Sequence, residues 1–248
     1  MLSLVVMIGL PIRASGAETA VAGEDANAIR IPLRMGGQSD DARKGWKSIR
    51  FRGKPANNVS ADKEGLHIEV RHSVSLLVQC LSEPTKVHSV VVRGAVTGLP
   101  RIPEGKEQGD EKADDFAVRL GLAVSGTKKP GPAERLFAPE IVNRLCELAP
   151  DSKGIDHVQF LDLVNDPPPK WHERIHPLGK GLIREQIVCT KGEAGDFTLR
   201  AKFKEPLAVF ALCICCDGDD TQSHYRVTIT EIQLNPEEKE AGDKTNRK

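Results

Sequence analysis

Apolar and polar residues alternate with a period of two along most of the chain, which sends one set of side chains to a core and the other to water, as in a half-buried β-strand. Phe116, Val118, Leu120, Leu122 and Val124 form one face of DDFAVRLGLAV, with Arg119 on its polar face; Phe197, Leu199, Ala201 and Phe203 form one face of DFTLRAKF. Ile29, Ile31, Leu33 and Met35 alternate with Arg30, Pro32 and Arg34, and Leu66, Ile68 and Val70 with His67, Glu69 and Arg71. Further strands are predicted over 47–52, 73–81, 87–97, 155–164, 182–190, 207–216 and 225–234.

Gly, Pro, Asn and Asp mark the breaks, as in KPANNVSADKEG and VNDPPP. One segment has helical spacing instead. In APEIVNRLCELAP, Pro139 suits a first helical position, and Ile141, Val142, Leu145 and Leu148 make an apolar stripe that stops at Pro150. Many short strands, one inserted short helix and no βαβ rhythm predict an all-β fold, an antiparallel β-sandwich or jelly roll.

Composition narrows the picture. The chain has 248 residues and a formal net charge of zero, so it lacks the basic field that nucleic acid requires. Beyond the first residues nothing is long and apolar enough to span a membrane. The N-terminus, MLSLVVMIGLPIRASGAE, has an apolar run from Leu2 to Leu10, a breaker at Pro11, and Ser15 and Ala17 placed for cleavage. Residues 1–17 are therefore expected to be a signal peptide and the protein to be exported to the periplasm or beyond. Residues 18–235 are expected to form a single β-sandwich domain, and the charged stretch 236–248 a disordered tail. In ALCICC, a strand points Cys213 and Cys215 to one face and Cys216 to the other, which suits small buried thiols better than pairing; Cys80, Cys146 and Cys189 keep disulfides open.

KWHERIHPLG carries His172, Glu173 and His176 in the order H-E-x-x-H. Such a motif holds Zn²⁺ when a helix brings residues four apart onto one face and the Glu activates the metal's water. Here Pro167, Pro168 and Pro169 precede it and Pro177 follows His176 directly, which opposes a helix. Leu182 stands where a third ligand belongs. The segment is predicted to be a loop, with His172 and His176 poor Zn²⁺ ligands, and Trp171 either its packed anchor or a ring that stacks on a ligand.

Two acidic clusters lie at strand ends: Asp110, Asp114 and Asp115 before the strand that carries Arg119, and Asp217, Asp219 and Asp220 in CDGDDTQSH. Asp114, Asp217 and Asp219 are candidate oxygen ligands for Ca²⁺; ordinary turn chemistry, with Gly218 permitting the bend, is the competing reading. GWKSIRFRGKP, ADDFAVRLGLAVSG and AVFALCICCDGDDTQSHYRVTITEIQL together resemble an exported bacterial family, domain-of-unknown-function family 3047. Ala113 replaces the Gly usual there and Asp220 the usual Asn, and the stretch from Gly126 to Gly195 matches poorly. The resemblance implies a sandwich of the carbohydrate-binding-module type. It maps its strand motif onto Asp114, Asp115 and Arg119, and its loop motif onto Asp217, Asp219 and Thr221.

The resulting expectation is a non-catalytic module that binds a small ligand, a glycan or an envelope component through Asp114, Asp115, Arg119, Trp171 and Thr221. The alternative is a metal-dependent hydrolase using His172, Glu173 and His176 or the Asp loops. Glycan sites usually recruit exposed aromatic rings, and two Trp, one Tyr and seven Phe leave few to spare.

Overall fold

The computed structural model describes residues 27–37, 42–128, 140–149, 154–179 and 181–236. The expected signal peptide and all of the expected tail except Pro236 lie outside them. Eleven strands join into one sheet: β1 Ile29–Arg30, β2 Lys47–Arg50, β3 Asn58–Asp62, β4 Gly65–Arg71, β5 Val74–Val96, β6 Val118–Lys128, β7 Ile155–Asn165, β8 Glu173–Ile175, β9 Ile183–Lys191, β10 Gly195–Asp217 and β11 His224–Pro236. The strand order is β3-β4-β11-β5-β10-β6-β7-β9-β8, with β1 added to β11 and β2 to β5. Among the described residues the fold is all-β with one short α-helix, α1, over Glu140–Leu148.

Two pairs of predicted strands fuse. The segments 73–81 and 87–97 are one strand, β5, and the two flanking Glu205 and Pro206 are one strand, β10. β5 and β10 pair along most of their length, but the ladder shifts register between Lys202 and Leu207 and again between Val209 and Ala211. Pro84 and Pro206 sit in this irregular stretch, where a residue without an N–H costs no ladder bond. Strands that bend at such irregularities carry a sheet around a corner, so the stretch between the predicted segments marks the fold's corner.

One shared core shows the result. Ile68, Val92, Phe197 and Val227 from one half of the sheet lie in the same cluster as Leu120, Leu161, Leu212 and Ile214 from the other. The alternation predicted for β6 puts Val118, Leu120 and Leu122 into that core. Its opposite face is covered too: Ala123, Phe160, Cys213 and Cys215 form a second cluster, onto which α1 lays Val142 and Leu145, followed by Ala149 just past its end. Cys216 belongs to the first cluster. Burial pushes the Cys213 thiol up to about 12 and those of Cys215 and Cys216 well above their ordinary value, as expected of inert packed thiols.

The antiparallel expectation needs one correction. β7 and β9 run parallel, with Val158 opposite Ile183 and Leu161 opposite Gln186. Two adjacent parallel strands require a long crossover, and the stretch 166–182, which contains the cis peptide Asp166–Pro167, provides it. On its way back this crossover lays β8 antiparallel along β9 at the edge of the sheet.

Gly121 is where β6 and its neighbours approach most closely. A Cβ there would collide with the Cys213 sulfur and come within 2.8 Å of the Phe160 ring. Gly121→Ala is expected to cost about 1–3 kcal/mol in a denaturant melt. Adding Cys213→Ala should return part of that loss; a double variant no better than the single one would contradict this packing.

Candidate functional site

The second face of β6 carries the most polar layer of the interior. Arg119 is 7% exposed, although alternation assigned it to a polar face; that face is covered rather than wet. Its Nη2 donates to Asp217 Oδ2 at 2.9 Å and to the Asp114 carbonyl at 2.5 Å, and lies 3.7 Å from Asp114 Oδ2. Its Nη1 donates to Glu185 Oε1 at 3.3 Å, and its guanidinium lies 4.0 Å from the centre of the Phe116 ring. Burial alone would lower its pKa, but Asp217, Asp114 and Glu185 raise it well above the usual value and keep it charged.

A second guanidinium completes the layer. Arg174 on β8 donates from Nε to Glu185 Oε2 at 2.5 Å, from Nη2 to Asp114 Oδ1 at 3.2 Å, and from Nη1 to the Gly109 carbonyl at 2.8 Å. A Cβ on Gly109, whose φ is +95°, would come within 2.6 Å of Arg174 Nη1, so only glycine admits this approach. Arg174 also covers Trp171, 4.2 Å from its ring centre, and Trp171 packs tilted against Phe116 with centroids 6.4 Å apart. His176 Nε2 lies 3.0 Å from Asp114 Oδ2. Burial pushes the Asp114 carboxyl up, but Arg119, His176 and Arg174 outweigh it and hold it below its ordinary value.

Backbone contacts fix these carboxylates in place. The Phe116 N–H donates to Asp217 Oδ1 at 2.6 Å, and the Asp217 N–H returns a bond to the Phe116 carbonyl at 3.2 Å. The Tyr225 hydroxyl lies 2.7 Å from the Asp217 carbonyl and 3.0 Å from that of Phe116. Asp115 turns the other way: it accepts from the Thr221 N–H and hydroxyl, each at 2.6 Å, and so holds the 218–223 turn. Gln108 ties the preceding loop down, donating to the Asp115 carbonyl and accepting from the Asn165 N–H, both at 2.7 Å.

The sequence candidates therefore separate into groups. Asp114, Arg119 and Asp217 meet, with one guanidinium nitrogen touching both carboxylates. Asp115 and Thr221 meet each other in the adjoining turn. Asp219 pairs with Lys54, while Asp114 and Asp217 pair with Arg119. Through the H-E-x-x-H the backbone is extended, with Glu173–Ile175 forming β8. Residues four apart in a strand are about 13 Å apart rather than one helical turn, so His172 and His176 do not share a face-to-face site.

Three members of the layer were not singled out as site residues in the sequence. Glu185 and Asp162 carried a signal, since each shares strand parity with apolar neighbours: Glu185 with Ile183 and Ile187, Asp162 with Phe160 and Val164. A charge on a core face is a conspicuous exception. Arg174 carried none, because its role depends on a chain reversal that only the fold reveals.

Beside this layer the sheet edge opens into two grooves. One, of about 680 Å³, is lined by His157, Arg174, Arg184, Lys202, Lys204, Phe203, Glu173 and Gln186 among others. The other, of about 610 Å³, is lined by Lys170, Trp171, His172, Gln186, Thr190 and Arg200 among others. Gln186 belongs to both. On a chain of zero net charge, this edge gathers Arg and Lys.

Neither a family model nor a curated protein matches the chain. Solved structures align with the chain at low identity and low TM-score. The xylan-binding module CBM15 is 12% identical, over 84% of this chain and 95% of that one, with a TM-score of 0.33. The K1 cleaved adhesin domain of Lys-gingipain from Porphyromonas gingivalis W83 is 8% identical, over 85% of this chain and 98% of that one, with a TM-score of 0.31. Xylanase10C (mutant E385A) from Cellvibrio japonicus, in complex with xylopentaose, is 11% identical over 84% of this chain but only 28% of that one, with a TM-score of 0.31. At this level the likeness extends to no residue of the site.

Asp114 gives the layer a definite pH signature. Its folded-state carboxyl sits below the ordinary 3.8, so the stability it contributes is complete above that value and is lost as pH falls through the lower, folded one. Asp114→Asn should cost about 2 kcal/mol at neutral pH, the moderate end for a half-accessible partner of a buried charge, and should flatten the acid limb of melting temperature against pH. An unchanged acid limb would show that Asp114 does not pair as described.

Proposed function

We propose that the protein is an exported, non-catalytic binding module whose ligand lies along the β8–β9 edge and is a glycan or envelope component bearing anionic groups. The observation that carries this reading is the lining of the paired grooves. Arg184, Lys202 and Lys204 line one and Lys170 and Arg200 the other, with Glu173 and Glu205 as local counter-charges. Glu185, which also borders the first groove, is already engaged by Arg119 and Arg174. Carboxylated or sulfated sugars match such a surface. Gln186, Gln159 and Thr190 supply neutral donors and acceptors for hydroxyls, while Trp171 and Phe203 supply apolar ring surface.

The buried layer then has a supporting role. Arg174 belongs to both regions, holding β8 to Asp114 and Glu185 while lining the groove, so the charge network sets the shape of the binding edge. Export is supported by the N-terminal residues 1–17 as read from sequence, and no described helix is long and apolar enough to cross a membrane. The rival hydrolase at His172, Glu173 and His176 gains nothing from an extended backbone.

Affinity electrophoresis or calorimetry against polygalacturonate, alginate and a neutral xylan tests the reading. Binding to an acidic polysaccharide is expected, weakening as salt rises, with no measurable affinity for the neutral one. Arg184→Ala combined with Lys204→Ala, both on the groove wall, should weaken binding roughly tenfold, about 1.4 kcal/mol, without lowering the melting temperature. No retardation by any acidic glycan, or retardation indifferent to the double substitution, would refute it.

A further inference from the structure

The buried layer gathers more carboxyl groups than guanidiniums. Asp114, Glu185, Asp217 and Asp162 bring four carboxyl groups, and Arg119 and Arg174 bring two guanidiniums. Asp162 is the odd member. It lies on β7 directly opposite Arg119 on β6, one strand in from Glu185 on β9, on the same face of the sheet. Its side chain is fully buried, and among the described residues neither of its carboxylate oxygens has a hydrogen-bond partner. The charges acting on it are those of Glu185, Arg119, Arg174 and Asp114. A buried carboxyl left without a partner is a standing cost to the fold, and a leucine in its place would have none. Nothing in the packing of β7 requires an acid there.

In the same layer, among the described residues, three ligand atoms already converge. One oxygen each of Asp114 and Glu185 and one ring nitrogen of His176 lie within 4.8 Å of one another. Donors bound to a single Zn²⁺ at about 2.0–2.1 Å stand roughly 3.3 Å apart in a tetrahedron, so a small contraction brings these three to a common ion. The side chains of Asp114 and His176 are 26% and 12% exposed, which gives an ion a way in.

We propose that Asp114, His176 and Glu185, with Asp162 behind them, form a binding site for a first-row divalent cation of the Zn²⁺ type. Asp162 then gains the partner it lacks. One imidazole among oxygen donors selects Zn²⁺ or a neighbouring transition ion over Ca²⁺, which prefers oxygen ligands alone. The site uses His176 but neither His172 nor a helix, so it is not the arrangement that the H-E-x-x-H spacing suggests. Glu185 and its partner Arg174 also line the first groove, so the site adjoins the proposed binding edge. Its ion is structural, clamping the loop at Asp114 and the crossover at His176 to β9.

Full-length protein stripped with a chelator and then titrated with Zn²⁺ by calorimetry, with metal content of the dialysed complex measured in parallel, tests this. One Zn²⁺ per chain and a rise in melting temperature are expected. His176→Gln, which keeps a hydrogen-bonding group towards Asp114, should weaken binding at least tenfold, while His172→Gln leaves it unchanged. Asp162→Asn, close to isosteric and free of a charge to bury, should also weaken binding at least tenfold while melting no lower than wild type without metal. That variant decides the matter if His176→Gln folds poorly. Less than one Zn²⁺ per chain in the wild type, or full affinity in Asp162→Asn, would overturn the assignment.

Discussion

A guanidinium shut away from water is tolerable only where carboxylates surround it, and the geometry around Arg119 follows from that requirement. Asp217 comes from the end of β10, Asp114 from the loop before β6, and Glu185 from β9, so satisfying one side chain fastens three separate parts of the chain. Removing a partner from such a group leaves an uncompensated buried charge, which costs far more than an exposed ion pair contributes. By contrast, the pair between Lys170 and Glu107 lies on the surface, with the lysine 90% exposed, and does not hold the fold together.

The same constraint ties the interior to the edge. Glu185 accepts from Arg119 with one oxygen and from Arg174 with the other, so the network passes from β6 through β9 to β8, the outermost strand. β8 has only three residues and pairs with β9 alone; by itself so short an edge strand is weakly held. Arg174, covering Trp171 and bonded to Asp114 and the Gly109 carbonyl, gives it the missing attachment. The grooves on either side of Gln186 owe their shape to this strand being held in place.

Much of the sheet was legible from period two. Val118, Leu120 and Leu122 face the core as their spacing predicted, and the stripe of Ile141, Val142, Leu145 and Leu148 forms α1. Pro84 and Pro206 lie between segments predicted as separate strands, whereas at a corner in a bent strand a proline's missing N–H leaves no bond unmade. Arg119 misled: alternation separates two faces but cannot say that both are covered. Asp114, Asp115 and Asp217 could be picked out because acidic residues cluster at strand ends, Arg119 because it lies on the polar face of its strand, and Thr221 through the family resemblance alone. That Asp115 serves the 218–223 turn while Asp114 serves Arg119 depends on side-chain directions that spacing does not encode, and the approach of Arg174 depends on the parallel crossover after β7.

Native-state hydrogen exchange on Arg119→Met tests the central claim most directly, since methionine fills much of the same volume without the charge. If the guanidinium fastens the edge to the core, amides of β8, of the β9 stretch around Ile187, which donates to the His172 carbonyl, and of residues 109–117 will lose protection selectively. Those of β4 and β11, on the far half of the sandwich, will keep theirs. Equal loss everywhere, or protection at β8 and β9 unchanged from wild type, would contradict the account.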